Sequence, residues 1–275
     1  MSKFQMSLLE RSFLFVPGHQ PEKFDKAFAS GAHAVILDLE DAVAPDRKQH
    51  ARQAVAAWLM NGQHAVVRIN AAQTDWYEDD ITMLKNAAGA SVMLPKADEA
   101  SLLLTTRALP GRNVIGLVET VGAYMELRRI VNMPGLQRIA FGSVDFATES
   151  GIDDVGEAMT SIRTQLVLES YHAGLLPPMD GVSLNFRDEN QMRQDALRSR
   201  QLGFGGKLCI HPSQVLAVNA AFQPSLEEAQ WARRVVEAFE ASSGAATSVD
   251  GKMIDKPVVQ KALQVMAEFN ARNAD

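Results

Sequence analysis

Cysteine is almost missing from this chain: Cys209 stands alone among 275 residues. No internal disulfide can form, so stability has to come from packing. A thiol in the apolar run Lys207-Leu-Cys-Ile210 is expected to be a core residue in a reducing compartment. Long hydrophobic runs are missing too. None approaches the roughly 20 residues of a membrane-spanning helix, and the N-terminus shows no apolar signal core followed by a small-residue cleavage site, so a soluble, cytoplasmic protein is expected, without a membrane partner. Nor is there an excess of positive charge. The 27 Lys and Arg face 33 Asp and Glu for a net charge of −6, which argues against nucleic acid as a partner but leaves room for local basic pockets that take an anionic ligand.

What is present is apolar residue in short, regularly spaced runs. Hydrophobic residues make up 47% of the chain, enough for one large core. Runs at 12–16, 33–39, 65–70, 91–95, 114–119, 138–142, 179–184 and 206–210 read as strands. Helical patterns alternate with them, at 21–30, 45–59, 80–87, 99–109, 121–131, 157–173 and 190–202. Strand–helix alternation means a parallel sheet, and eight such units are the number that closes a (β/α)₈ TIM barrel; an open doubly wound sheet is the alternative. The barrel is expected to occupy residues 1–222. A C-terminal helical extension, 223–275, follows, with helices at 225–241 and 256–271 joined through the small, polar stretch 242–251, which reads as a flexible connection.

The strand over 114–119 is the centre of this reading, because an apolar run ends there on a carboxylate, Glu119. In a barrel the carboxyl ends of the strands carry the chemistry. At those ends lie Asp38, Glu40 and Asp41, then Arg68 and Asn70, Lys96, Glu119, Asp145, Asn185 and Arg187, and His211. Glu119 and Asp145, 26 residues and one βα unit apart, would project into one mouth. Two converging carboxylates need neutralising. With no His or Cys at matching positions, an all-oxygen site for Mg²⁺ is favoured, completed by water and substrate. A carboxylate pair sharing a proton, or an ion pair with Lys96, would also answer. Arg68, within a strand, must face an anion: Asp38 or Glu40 as a structural ion pair, a substrate carboxylate, or both. Arg68, Glu40 and Asp41 are candidate catalytic residues. His211 before Pro212 reads equally well as a helix cap.

The segments RSFLFVPG, HAVILDLEDAV, VVRIN, MLPK, GLVET, FGSVDF and GGKLCIHPSQ, in this order across the whole barrel, resemble the citrate lyase beta-subunit family, which includes malyl-CoA, citramalyl-CoA and citryl-CoA lyases. The resemblance implies that Glu119 and Asp145 hold Mg²⁺ and that Arg68 binds oxo-acid oxygens. It implies coenzyme A phosphates near Arg11 and, with surface solubility as the plain alternative, near Lys23 and Lys26. The implied reaction is reversible cleavage of a 3-hydroxy-3-carboxyacyl-CoA to acetyl-CoA and a 2-oxo acid. A citrate lyase subunit working on an acyl-carrier protein, or an aldolase for free oxo acids, are the other readings. Asp255, by position an ordinary helix cap, is implied to be an acid/base that the extension brings as a lid over a neighbouring subunit's site in a homo-oligomer, expected to be a trimer.

Overall fold

The computed structural model describes residues 10–272. Eight parallel strands close into a barrel: β1 (Ser12–Pro17), β2 (Ala34–Asp38), β3 (Ala65–Arg68), β4 (Ala90–Leu94), β5 (Val114–Val118), β6 (Leu136–Phe141), β7 (Met179–Asp180) and β8 (Gly206–Cys209). Each strand pairs with the next, and β8 returns to β1 through Ser12↔Lys207, Phe13↔Leu208 and Leu14↔Cys209. That closing ladder rules out the open sheet.

Successive side chains on a strand face opposite ways, so residues two apart share a face. One face fills the barrel: Phe13, Ala34, Ile36, Val66, Met93, Ile115, Leu117, Ala140, Met179 and Leu208 form a single buried cluster with a member on every strand. The opposite face, with Val35, Leu37, Val67, Val92, Leu94, Val114, Val118 and Ile139 also buried, is covered by helices. Each Val, Leu, Ile, Phe or Met among them contributes about 1.5–3 kcal/mol by leaving water. The same period sets the chemistry. Asp38 follows Ile36 by two positions, Arg68 follows Val66 and Glu119 follows Leu117, so all three point inward at the carboxyl ends.

The amino end of the barrel is plugged. Arg138 is 1% exposed, lies with its guanidinium 5.0 Å from the Phe13 ring centre, and donates from Nε to the Pro177 carbonyl at 2.6 Å.

Several boundaries differ from the sequence pattern. The first two helices open with 3-10 turns, Pro21–Lys23 and Pro45–Arg47, before Phe24–Phe28 and Lys48–Met60. The helix expected at 80 begins at Tyr77. The 121–131 helix is two, Val121–Met125 and Leu127–Val131, and β7 is two residues long. A helix not anticipated, Ser143–Ser150, follows β6.

Residues from Ala220 onward form a second compact unit. It contains a helix, Leu226–Ala241, whose Ser225 and Glu228 make a reciprocal capping box, and a final helix, Lys256–Arg272. Its core is Ala232, Val235, Ile254, Val259 and Ala262. The stretch expected to be a flexible connection runs into an antiparallel hairpin of β9 (Thr247–Val249) and β10 (Lys252–Ile254). Asp250 and Gly251 make its two-residue turn, with φ of +52° and +75°, the positive pair that the tightest hairpin turns require. Among the described residues no helix is long and apolar enough to cross a membrane.

Candidate active site at the carboxyl end of the barrel

A cavity of about 450 Å³ opens where the strands end, and Asp38, Asp41, Arg68, Glu119, Ser143 and Asp145 line it together with an apolar wall that includes Phe15, Val182, Leu184, Leu208 and Ile210. Residues more than 100 positions apart are thus brought to one place by eight parallel strands.

Arg68 is the hub. Its Nε and Nη2 grip both oxygens of Asp38, at 2.7 and 2.6 Å, a bidentate pair that is buried on both sides. Nη1 reaches Asp41 Oδ2 at 3.2 Å and Glu40 Oε2 at 3.1 Å, and the guanidinium lies 4.8 Å from the centre of the Phe15 ring. Burial works against its charge, but the bonds to Asp38 and the surrounding carboxylates outweigh that and raise its pKa. The ion-pair expectation for Arg68 is therefore met in geometry, with Asp38 as the main partner.

Glu119 follows β5 and is 2% exposed. Its Oε1 accepts the backbone N–H of Lys96 at 2.7 Å. On its other side stands Gly142, where any Cβ would lie 2.3 Å from Glu119 Cβ, so only glycine leaves room for this carboxylate. Burial first, and then the Glu40 charge, push Glu119 up to about 8. Glu40 is pushed up to about 7, by burial and against the pull of Arg68. Asp145, exposed, sits in the first turn of the Ser143–Ser150 helix. The lysine does not pair with Glu119 and Asp145: its amine is 3.9 Å from Glu40 Oε1, and only its backbone serves Glu119.

Five carboxylates, Asp38, Glu40, Asp41, Glu119 and Asp145, thus meet two cationic side chains, Arg68 and Lys96. The excess of hard, negative oxygen around a buried carboxylate of raised pKa fits a divalent cation. No group of three or more His, Cys, Asp or Glu able to hold a metal occurs among the described residues. A site here would draw few ligands from the protein and leave positions for water and substrate, the habit of Mg²⁺.

Lys48 escaped the sequence reading, because it falls on a helix where lysine is normally solvated. Its amine is buried and donates to the carbonyls of Leu39 and Glu40 at 2.7 and 2.8 Å and to Asn70 Oδ1 at 2.6 Å. Asp80, itself bonded to Arg52, holds Asn70. This chain fixes the loop that carries Glu40 and Asp41, and it gives Asn70 a structural role. Ser143 was also missed; its buried Oγ, on the cavity wall, has no hydrogen-bond partner.

Other candidates lie elsewhere. Arg11 precedes β1, at the strand's start as expected, and so lies at the amino end, away from Glu119, where its Nη1 donates to the Gly205 carbonyl at 3.0 Å. Lys23 and Lys26 are exposed on the segment after β1. Asn185 Oδ1 accepts the Arg187 N–H at 3.3 Å, and Arg187 lies over Phe186; neither lines the cavity. His211 caps the Pro212–Gln214 turn and stacks on Phe186 at 4.7 Å. Asp255, in the second unit, accepts the Val258 N–H at 3.3 Å as a cap of the last helix.

Comparison with known proteins follows the same lines. Residues 11–212 match the family HpcH/HpaI aldolase/citrate lyase. A (3S)-malyl-CoA thioesterase of Cereibacter sphaeroides is 33% identical over 271 residues, 95% of each chain. A citrate lyase subunit beta-like protein of Mycobacterium tuberculosis is 35% identical over 257 residues, 91% of this chain and 92% of its own. The structure of CitE from M. tuberculosis with magnesium, acetoacetate and coenzyme A superposes with a TM-score of 0.85 at 32% identity, covering 94% of this chain and 98% of that one.

Proposed function

We propose, from the premise that this chain belongs to the HpcH/HpaI aldolase/citrate lyase family, that it is a Mg²⁺-dependent carbon–carbon lyase. Its substrate would be a 3-hydroxy-3-carboxyacyl-CoA, of the malyl, citramalyl or citryl type, and its products acetyl-CoA and a 2-oxo acid. The observation that carries this reading is the acidic mouth built round Glu119 and Arg68, in a chain whose structural relative is described with magnesium, acetoacetate and coenzyme A.

Glu119 and Asp145 would hold the cation, which when bound polarises the oxygen at the bond to be broken. Cleavage removes the hydroxyl proton, and Asp41 is the candidate acceptor that lines the cavity. The electron pair of the broken bond passes to the thioester α-carbon, and a proton must then arrive at that carbon. Arg68 offsets negative charge on the oxo-acid oxygens. Asp38 and Glu40 hold that guanidinium in place. Val182 and Leu208, the less exposed part of the apolar wall, would limit water at the enolate.

Asp255 is the proposed proton donor, carried by the C-terminal extension as a lid over a neighbouring subunit's site in a cytoplasmic homo-oligomer, a trimer in our reading. The family resemblance supports it. Mixed Asp255→Asn and Glu119→Gln subunits should regain part of the activity that each variant lacks alone. Verified subunit exchange with no regain would leave Asp255 as a helix cap or a residue acting in cis.

A second reading rests on the relative named (3S)-malyl-CoA thioesterase: hydrolysis of the thioester at the same mouth. One panel separates the readings. Malyl-CoA, citramalyl-CoA and citryl-CoA are incubated with Mg²⁺, and the 2-oxo acid and the free thiol are measured separately. A lyase releases oxo acid with no thiol, and a thioesterase does the reverse. A requirement for acyl-carrier protein would make the chain a subunit of a citrate lyase complex, and turnover of free oxo acids without coenzyme A would make it an aldolase. Loss of Mg²⁺ binding in Glu119→Ala and Asp145→Ala, read by calorimetry, tests the metal assignment directly.

A further inference from the structure

Three non-glycine residues among those described have positive φ: Lys96 at +47°, Ser243 and Asp250. The last two lie in turns of the second unit. Lys96 lies in the barrel, directly after Pro95 and the end of β4, at the kind of turn position that glycine or asparagine fills because a Cβ is disfavoured there. Such a conformation persists only where its surroundings impose it, and at a functional site it is a reason to ask what the backbone is doing.

Here it aims an N–H. In the left-handed conformation the amide of residue 96 meets Glu119 Oε1 at 2.7 Å. Gly142 closes the other side, within 2.8 Å of Oε2 for any added Cβ. A glutamate has three side-chain torsions, so without a fixed donor its carboxylate has several planes open to it. We propose that the left-handed backbone at Lys96 is a positioning device for Glu119: it presents one amide that takes Oε1 and so sets the plane in which the carboxylate meets a cation. This deepens the metal-centre reading given above and rests on it. The amine is a separate matter, since it is half-exposed and faces Glu40. Lys96 is thus a positioning residue through its main chain.

The device can be tested without turnover. Lys96→Gly, Lys96→Asn, Lys96→Ala and Lys96→Val all remove the amine and keep the N–H; Gly and Asn accept positive φ readily, Ala carries the same Cβ as lysine, and only the β-branched Val opposes that conformation more strongly. Mg²⁺ affinity of the metal-free protein is measured by calorimetry, with Tm recorded for each variant. The Gly, Asn and Ala variants should bind within about three-fold of one another, and the Val variant roughly ten-fold or more weaker, the scale of loss when a group orienting a metal ligand is disturbed. A general loss of stability would lower Tm without this ordering. If the Val variant does not fold, Lys96→Thr, β-branched and polar, takes its place. Equal affinity across the folded variants overturns the proposal while leaving the metal site standing. Absence of Mg²⁺ binding in the unaltered protein overturns both.

Discussion

At the scale of single residues, Arg68 decides between charge and shape. Asp38 is 1% exposed and depends on a planar fork that meets both of its oxygens. Replacing the fork with Arg68→Met strands a buried carboxylate, for a loss of about 3–5 kcal/mol in urea unfolding. Arg68→Lys keeps the charge but not the two parallel bonds, so we expect it to lie between the two in stability and to lose turnover. Full turnover in Arg68→Lys would confine the arginine to its ion pair. Cys209 is the opposite case, a residue with no chemistry to offer. Burial pushes its thiol up to about 12, so it should resist a thiol reagent at pH 8 until the chain unfolds. Rapid labelling of the native protein would show that β8 opens.

Among the elements, β7 is the exception, because two residues of ladder cannot hold a strand by themselves. A buried charge network does it instead. Arg163 Nε donates to Asp180 Oδ1 at 2.9 Å and Arg163 Nη2 to Asp154 at 2.7 Å. Ser199 donates to the other oxygen of Asp180, and Lys207 Nζ donates to the Gly181 carbonyl at 2.6 Å. Burial would raise the Asp180 carboxyl, but Lys207, Arg163 and these bonds prevail and hold it below the usual range. A depressed carboxyl stabilises the fold fully above its unfolded pKa, about 4, and that contribution is lost as pH falls from there through the folded value. Asp180→Asn should therefore be less stable at neutral pH and show a shallower loss of stability between pH 5 and pH 3. An unchanged acid limb in that variant would move acid sensitivity elsewhere. The shortness of β7 was not read from the sequence, although Met179-Asp-Gly-Val-Ser-Leu184 is broken by Asp180, Gly181 and Ser183. Most of the barrel was, because strands buried on both faces are written as runs of Val, Ile and Leu. The helix Ser143–Ser150 passed unread, its eight residues being too few for a clear helical period. The hairpin at 247–254 was missed for another reason: the Asp250-Gly251 signal lay inside a stretch judged by its composition. In the mouth, strand-end logic found Glu119, Asp145 and Arg68, whereas Lys48, Gly142 and Ser143 act through burial and close approach, which a single sequence does not display.

For the whole molecule, the two ends of the barrel have different characters. Arg138 stoppers the amino end against Phe13, and the catalytic candidates crowd the other. The candidate cavity opens at the carboxyl end, above the packed interior. On the proposed chemistry the oxo acid lies deepest, against Glu119 and Arg68, with the bulky thioester above it, so traffic has to be last in, first out: acetyl-CoA departs before the oxo acid, and in synthesis the oxo acid arrives before acetyl-CoA. Product-inhibition kinetics read this sequence directly. The oxo acid should compete with the cleavage substrate for free enzyme, whereas acetyl-CoA should inhibit non-competitively. Competitive inhibition by both would mean that the products leave in either order, and that the stopper at the amino end does not govern the queue at the door.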